Sequence, residues 1–314
     1  MINNSDISSI AGNISYTDPL NNGASSLKFE YPASKAGLFP NGSVVVFSYG
    51  GANVFYGFLI ESQMNKSKVI CTAYDQLFYL KMQDFMLRQG ETLDAFAKKI
   101  FATVMTRISV GTIEPTGAVL SDKPFDGKTY LDMIYESIRE TTYLNGCFYA
   151  LRDEFGALTL REVMGLRLGL IIGDGSLATD FNYSVSIGSD TYNVIKAAQD
   201  NSEAGQRDVT MAQDSATIEK WGKLQRYQKF SGRNDAQMKA LAASLLLLKN
   251  RETEKLSVNC IGDLRVRAGV GVKVQLSNAG VDLWAIVNNA VHSFDGAKHT
   301  MQLELTYGRW QSWT

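Results

Sequence analysis

The chain has 314 residues, 45% hydrophobic and 20% charged, a globular composition that excludes disorder as the main state and, at roughly 100–200 residues per domain, predicts two domains. Its 31 basic and 32 acidic residues give a net charge of −1, so no excess of cations is available for phosphates and sequence-specific nucleic-acid binding is disfavoured. Cys71, Cys147 and Cys260 are odd in number, far apart and set in apolar runs, which fits buried small hydrophobes in a reducing compartment and not a disulfide frame.

Met1 to Ser9 is polar and has neither the basic nor the apolar stretch of a secretory signal, so the chain is expected to be made and folded in the cytosol. Strands are predicted at Asn13–Tyr16 and Leu27–Phe29. They are followed by a meander from Gly42 through Ser48, across the turn Gly50-Gly51, along Val54–Ile60 and on to Tyr74. Residues 1–85 are therefore expected to form a first small antiparallel β-barrel. Apolar residues at Leu93, Phe96, Ala97, Ile100, Phe101 and Val104 mark a helix over Thr92–Met105; Leu131, Ile134, Tyr135 and Ile138 mark another over Thr129–Thr142. Cys147–Leu151 and Ala157–Leu160 form a hairpin across Asp153–Gly156, which makes residues 86–165 an α/β insert.

Gly165, Gly169, Gly173 and Gly175 make a glycine-rich stretch, but the alternation of Leu166, Leu168 and Leu170 with their neighbours is that of a strand ending in a turn. Residues 166–200 and 270–314 are assigned to a second β-barrel, interrupted by an insertion over 201–269. That insertion holds a polar hairpin around Glu203-Ala204-Gly205, a helix capped by Asp214, and a helix from Asn234 to about Glu254 whose stripe Met238, Leu241, Leu245 and Leu248 is packing surface. Leu241–Leu248, broken by Ser244, is the longest apolar run and falls far short of the roughly 20 residues a membrane span requires.

The last meander, Gly271 through Ser277, Leu283 to Val287 and Met301 to Tyr307, has the layout of the first. An offset of 229 pairs Gly42 with Gly271, Val45 with Val274 and Phe55 with Trp284, and the final strand needs 233, the extra residues falling in a hairpin turn. Upstream, Asn13–Tyr16 leading to Leu27 is echoed by Phe181–Tyr183 leading to Val194. At the paired positions the second copy places mostly polar residues where the first has Val44, Val46, Val69, Cys71 and Ala73. These five are expected to form an apolar outer face, a subunit or inter-domain interface covered by a helix of this chain or by a neighbouring subunit.

Catalytic equipment is sparse. His292 and His299 are the two histidines, flanking the turn Asp295–Ala297; a metal would need a third ligand, so no metal is expected. Gly127-Lys128-Thr129 imitates the end of a phosphate loop, but Asp122 occupies the position of the required earlier glycine. No nucleophile elbow, dinucleotide fingerprint, CxxC pair or HExxH helix occurs, and no cofactor or catalytic residue is assigned.

Several phrases resemble a known family. They are Gly12–Ser15 leading to Ser26–Glu30, Phe55–Ile60 followed by Thr72–Leu80, Tyr192–Lys196, and Asp214–Gln225 with Trp221 where Tyr is more frequent. Across nearly the whole chain they are similar to the XkdQ/YqbQ-type hub proteins of contractile phage tails, prophages and tail-like bacteriocins, akin in fold to the myophage baseplate hub and the N-terminal part of the type VI secretion spike. The resemblance implies a mainly β, α+β protein without enzymatic activity, located in the baseplate. It implies a homotrimer of two like barrels per subunit that adapts a six-fold tail tube to a three-fold central spike and leaves a channel. The partners implied are the tail tube, spike, baseplate wedge, LysM-type baseplate and tape-measure proteins, with no stable membrane association. A cell-wall hydrolase is the competing class, since some tail hubs carry a lytic domain, but no His-containing catalytic set is visible. A carbohydrate- or receptor-binding β-module would use solvent-facing aromatics, for which Trp310 and Trp313 are the clustered candidates.

Overall fold

The computed structural model describes residues 1–104, 106–188, 190–201 and 206–306. The first β-module contains β1 (Gly12–Pro19), β2 (Ser26–Pro32), β3 (Val44–Tyr49), β4 (Ala52–Met64) and β5 (Lys68–Tyr74). The α/β insert follows, with β6 (Gln83–Arg88), α1 (Leu93–Val104), β7 (Val110–Ile113), β8 (Lys123–Thr129), α2 (Tyr130–Asn145), β9 (Tyr149–Asp153) and β10 (Leu158–Glu162). Next come β11 (Arg167–Gly173) and β12 (Ala178–Ser186), and then an inserted unit of β13 (Val194–Asn201), β14 (Gln206–Gln213), α3 (Ser215–Trp221), β15 (Gln225–Lys229) and α4 (Asp235–Lys249). The chain returns with β16 (Thr253–Ile261), β17 (Gly271–Leu276), β18 (Val281–Asp295) and β19 (Lys298–Thr306).

Both helices expected in the insert are present, each burying its apolar stripe. Thr129 caps α2 by accepting from the Asp132 backbone N–H, so the residue that imitated a phosphate loop is a helix cap. The expected hairpin is β9–β10, joined by β7 in a three-stranded sheet. Asp214 caps α3 as expected. The long helix starts at its expected Asn234 cap but ends at Lys249, because the chain must be extended by Thr253 to enter β16. Met238, Ala242 and Leu245 of α4 pack on Ile195 and Ala197 of β13.

The protein is mainly β, as expected, but the two closed barrels are not formed: no sheet among the described residues closes on itself. One 11-stranded sheet runs β12-β16-β19-β18-β1-β2-β5-β4-β3, with β17 also on β18 and β11 beside β17. The physical reason lies in β18. Its residues 281–286 pair with β17, its residues 289–294 pair with β1 on the same edge, and β19 lines the other edge, so one strand carries the sheet through both modules. In the first module the N-terminal segment lies beside β3, where buried Ile2 pairs with Val45 and packs with Ile7 in the core, and a cavity of about 340 Å³ remains between this segment, β1 and β3.

The duplication has a clear topological expression. The first module runs β1-β2-β5-β4-β3 and the second β12-β16-β19-β18-β17, the same order. β4 against β5 and β18 against β19 bulge at the same place: Leu59↔Ala73 is followed by Glu61↔Thr72, and Val287↔Leu305 by Asn289↔Glu304. Strand pairing also redraws the boundaries read from sequence. β13 lies in a separate β14-β13-β15 sheet and β16 in the large one, so the partner of β12 is β16 and not the strand at Val194. The tip of the β13–β14 hairpin, Glu203-Ala204-Gly205, lies outside the described residues.

Gly57 of the Phe55–Ile60 motif has a steric reason. A Cβ there would lie 2.2 Å from the Tyr74 carbonyl oxygen and 2.6 Å from the Phe55 ring. Gly57→Ala is therefore expected to destabilise the protein by about 1–3 kcal/mol through forced displacement of β4 from β5, measured as a lower denaturant midpoint.

Candidate functional site

The five predicted face residues divide into two groups. Val69, Cys71 and Ala73 have no exposed surface and lie in the core of the first module with Leu27, Phe29 and Leu59. The bulges explain why. Aligning them makes the offset 228 for β4 onto β18 and 232 for β5 onto β19, so Val69, Cys71 and Ala73 correspond to the buried Met301, Leu303 and Leu305 and not to their polar neighbours. A slip of one residue exchanges the faces of a strand, and the outer face expected for these three is corrected to an inner one. Val44 and Val46 do point away from the core and are half-buried. They stand opposite Phe58 and Tyr56, onto which this chain's own insert packs: Phe155 lies 6.1 Å from Tyr56, and Arg107 stacks 4.9 Å over Phe58.

The histidines do face each other across their hairpin. His292 Nδ1 and His299 Nε2 are 2.9 Å apart, and His292 Nε2–H donates to the Val266 carbonyl at 2.8 Å, so His292 Nδ1 accepts from His299. His292 is almost fully buried, and burial, reinforced by the charges of His299 and Arg267, pushes it down to about 4. Among the described residues no group of three His, Cys, Asp or Glu side chains is placed to hold a metal ion.

Sequence reasoning missed the polar centre of the molecule, where both β-modules and the insert meet. Arg267, in the β16–β17 connection, donates from Nε to Asp18 Oδ2 at 2.9 Å, from Nη1 to the Asp153 carbonyl at 2.9 Å and from Nη2 to the Tyr16 hydroxyl at 2.8 Å. Asp18 also accepts from the Ser25 hydroxyl and the Ala268 backbone N–H. Asp75 accepts from the backbone N–H groups of Ser25 and Leu77, and Asp153 from the Gln76 amide. An apolar patch of Leu20, Ala150, Val163, Ala268 and Ile286 adjoins these groups. Tyr16 and Arg267 are 251 positions apart, so no local pattern announced the centre.

Three buried carboxylates (Asp18, Asp75, Asp153) share the centre with the guanidiniums of Arg152 and Arg267. Burial opposes ionisation of Asp18, but Arg267, Arg152 and the hydrogen bonds from Arg267 and Ser25 hold it below the usual carboxylate range. Burial raises Asp75, and the neighbouring Asp153 raises it further; Asp153 is raised too, chiefly by burial. The Asp75–Asp153 pair therefore retains a proton where isolated carboxyls would not. This arrangement joins both β-modules and the insert, and a cavity of about 250 Å³ lined by Tyr16, Glu154, Arg267 and His292 opens beside it.

A fold with these modules is that of phage tail proteins. The structure superposes on a tail protein from Neisseria meningitidis MC58 with a TM-score of 0.73 (13% identity, covering 94% of this chain and 91% of that one). With the prophage MuSo2 43 kDa tail protein of Shewanella oneidensis the TM-score is 0.67 (14% identity, 94% and 93%). With the E. coli c3393 protein, a component of the type VI secretion system described as similar to the T4 tail proteins gp27 and gp5, it is 0.58 (11% identity, 96% and 75%). The chain belongs to the YqbQ-like family, whose model matches residues 14–306. The XkdQ protein of the phage-like element PBSX of Bacillus subtilis is 26% identical over 84% of this chain and 81% of its own length.

Two outcomes test the centre. Arg267→Met leaves buried Asp18 without its hydrogen-bonded cation and is expected to cost about 3–5 kcal/mol of stability, a loss partly restored in the double variant Arg267→Met/Asp18→Asn, as read by denaturant unfolding. His292 has a folded pKa of about 4 against 6.5 in the unfolded chain. Its contribution is thus complete above pH 6.5 and lost as pH falls toward 4, about 3 kcal/mol at 1.36 kcal/mol per unit. His292→Gln is expected to flatten that acid limb.

Proposed function

We propose that the chain is a structural hub of a contractile phage tail or tail-like particle, acting without catalysis. Three copies associate into a ring that presents six like β-modules, so a three-fold assembly meets a six-fold tail tube on one side and a three-fold spike on the other, with a channel for genome or tape-measure protein between them. The observation that carries this reading is the repetition of one strand order, with its bulge, in two modules of a single chain. The tail-protein fold and the family membership support it. A net charge of −1 suits a channel that passes nucleic acid without holding it. No helix among the described residues is long and apolar enough to cross a membrane.

In this reading the tube, spike, wedge, LysM-type and tape-measure proteins are the neighbours of the ring, and Val44 and Val46, half-exposed beside the insert, lie where copies abut. Trp310 and Trp313 lie outside the described residues. Light scattering of the purified protein over a range of concentrations is expected to reach three times the 34.6 kDa chain mass, and with the spike protein present that mass plus the mass of the bound spike. Val44→Lys/Val46→Lys is expected to lower that mass while leaving thermal unfolding unchanged. Robust clearing of peptidoglycan by the purified protein would overturn the non-catalytic reading.

A further inference from the structure

Away from the large sheet, the α/β insert and the unit between β12 and β16 face each other. They touch through α2 and α4, and Tyr143 of α2 packs on the core of the inserted unit formed by Ile195, Met238 and Leu245. Beside that contact they enclose a cleft of about 430 Å³, a size typical of ligand-binding pockets. One wall is α2, where Arg139 and Tyr143 are one turn apart on the same face. Arg226 and Gln228 of β15 stand level with Ile195 and Ala197 of β13, so they point to the side on which α4 packs and form the opposite wall. The loop Ser231-Gly232-Arg233 closes one end, with Gly232 lying against Ser121.

The charge of the cleft departs from that of the whole protein. Its lining carries five cations (Lys123, Arg139, Arg226, Lys229, Arg233) against two carboxylates (Glu136, Glu140), in a chain of net charge −1. Both carboxylates are already engaged: Glu140 accepts from Arg88 at 2.5 Å and from Lys123 at 2.8 Å, and Glu136 accepts from Lys123 and, at 2.6 Å, from Lys128. Lys229 pairs with Asp200, and Arg226 lies 3.6 Å from Asp190. Among the described residues the guanidiniums of Arg139 and Arg233 have neither a hydrogen bond nor an ion pair. Burial raises the Tyr143 hydroxyl, and the charges of Arg226 and Arg139 oppose that rise, so guanidiniums from both walls act on one hydroxyl. A planar guanidinium fork matches the oxygens of a carboxylate or a phosphate, and two such forks stand without a protein partner.

The lining also discriminates among anions. Leu144, Phe230 and Leu241 add apolar surface, which suits a polypeptide in which acidic and apolar side chains alternate. Glu136 and Glu140 repel a continuous run of phosphates, whereas separated carboxylates can keep clear of them. We propose that this cleft receives an acidic, partly apolar segment of a partner protein, with its carboxylates on Arg139 and Arg233 and an apolar side chain against Phe230 and Leu241. The proposal stands on the shape and charge of the cleft and is independent of the number of copies in the hub.

The test is fluorescence anisotropy of the full-length protein with a dye-labelled peptide of alternating glutamate and leucine, about six residues long. The same peptide with glutamine for glutamate and a labelled oligothymidylate of equal length are the comparisons. The glutamate peptide is expected to bind about tenfold more tightly than the glutamine peptide, and to weaken as salt rises from about 0.05 M to about 0.5 M. Arg139→Gln and Arg233→Gln are each expected to weaken binding about tenfold without lowering the melting temperature, since neither side chain has a partner to lose. Arg139→Lys, which keeps the charge and loses the fork, is expected to fall between the two. Arg265→Gln, at an exposed position outside the cleft, is expected to change nothing. Tighter binding of the oligonucleotide than of the glutamate peptide overturns the protein partner in favour of nucleic acid. Peptide binding that is indifferent to Arg139 and Arg233, or no binding at about millimolar peptide, overturns the site.

Discussion

A β-strand has two edges, and every backbone N–H and C=O along them must find a partner or stay in water. In this protein that demand is met most fully by β18. Its 15 residues are longer than any one neighbour, and its edge is divided between β17 of its own module and β1 of the other. The change of partner falls near the bulge at Asn288, whose carbonyl accepts from the Leu20 backbone N–H as β1 ends. From that division follow the continuity of the sheet, the failure of either module to close as a barrel, and the fixed relation between two copies of one motif.

The polar centre holds what the sheet joins. Arg267 reaches β1, β9 and its own module at once, and the hydrogen bonds to Asp18 and Tyr16 are side chain to side chain, so their geometry depends on all three parts being in place. Burying three carboxylates against two guanidiniums is expensive, and the excess negative charge is removed by a retained proton on the Asp75–Asp153 pair. A purely apolar junction of the same size would tolerate sliding, whereas a forked donor matched to three acceptors tolerates one arrangement.

Much of this was legible in the sequence. The stripe through Phe96 and Ile100, the Thr129–Thr142 pattern and the Asp214 and Asn234 caps located four helices, because helical period and capping chemistry are local. The repeat was also visible, but its register was not. A bulge adds one residue to one strand, and an alignment that ignores it assigns Val69, Cys71 and Ala73 to the wrong face. Adjacency in sequence usually means adjacency in a sheet, but β12 pairs with β16 across the inserted unit while the strand at Val194 lies in a separate sheet. The Arg267 centre left no trace, since its members are scattered from Tyr16 to Arg267 with no spacing that distinguishes them from other charged residues.

The unit that separates β12 from β16 occupies the position held in the first module by the short link Leu20–Ser25 between β1 and β2. One chain thus carries a bulky elaboration and a minimal turn at corresponding corners. In a closed assembly of three, large and small corners would alternate around the rim, giving a six-fold inner wall an outline that repeats only every 120°. A partner of three-fold symmetry could then choose one of two otherwise similar orientations by shape alone.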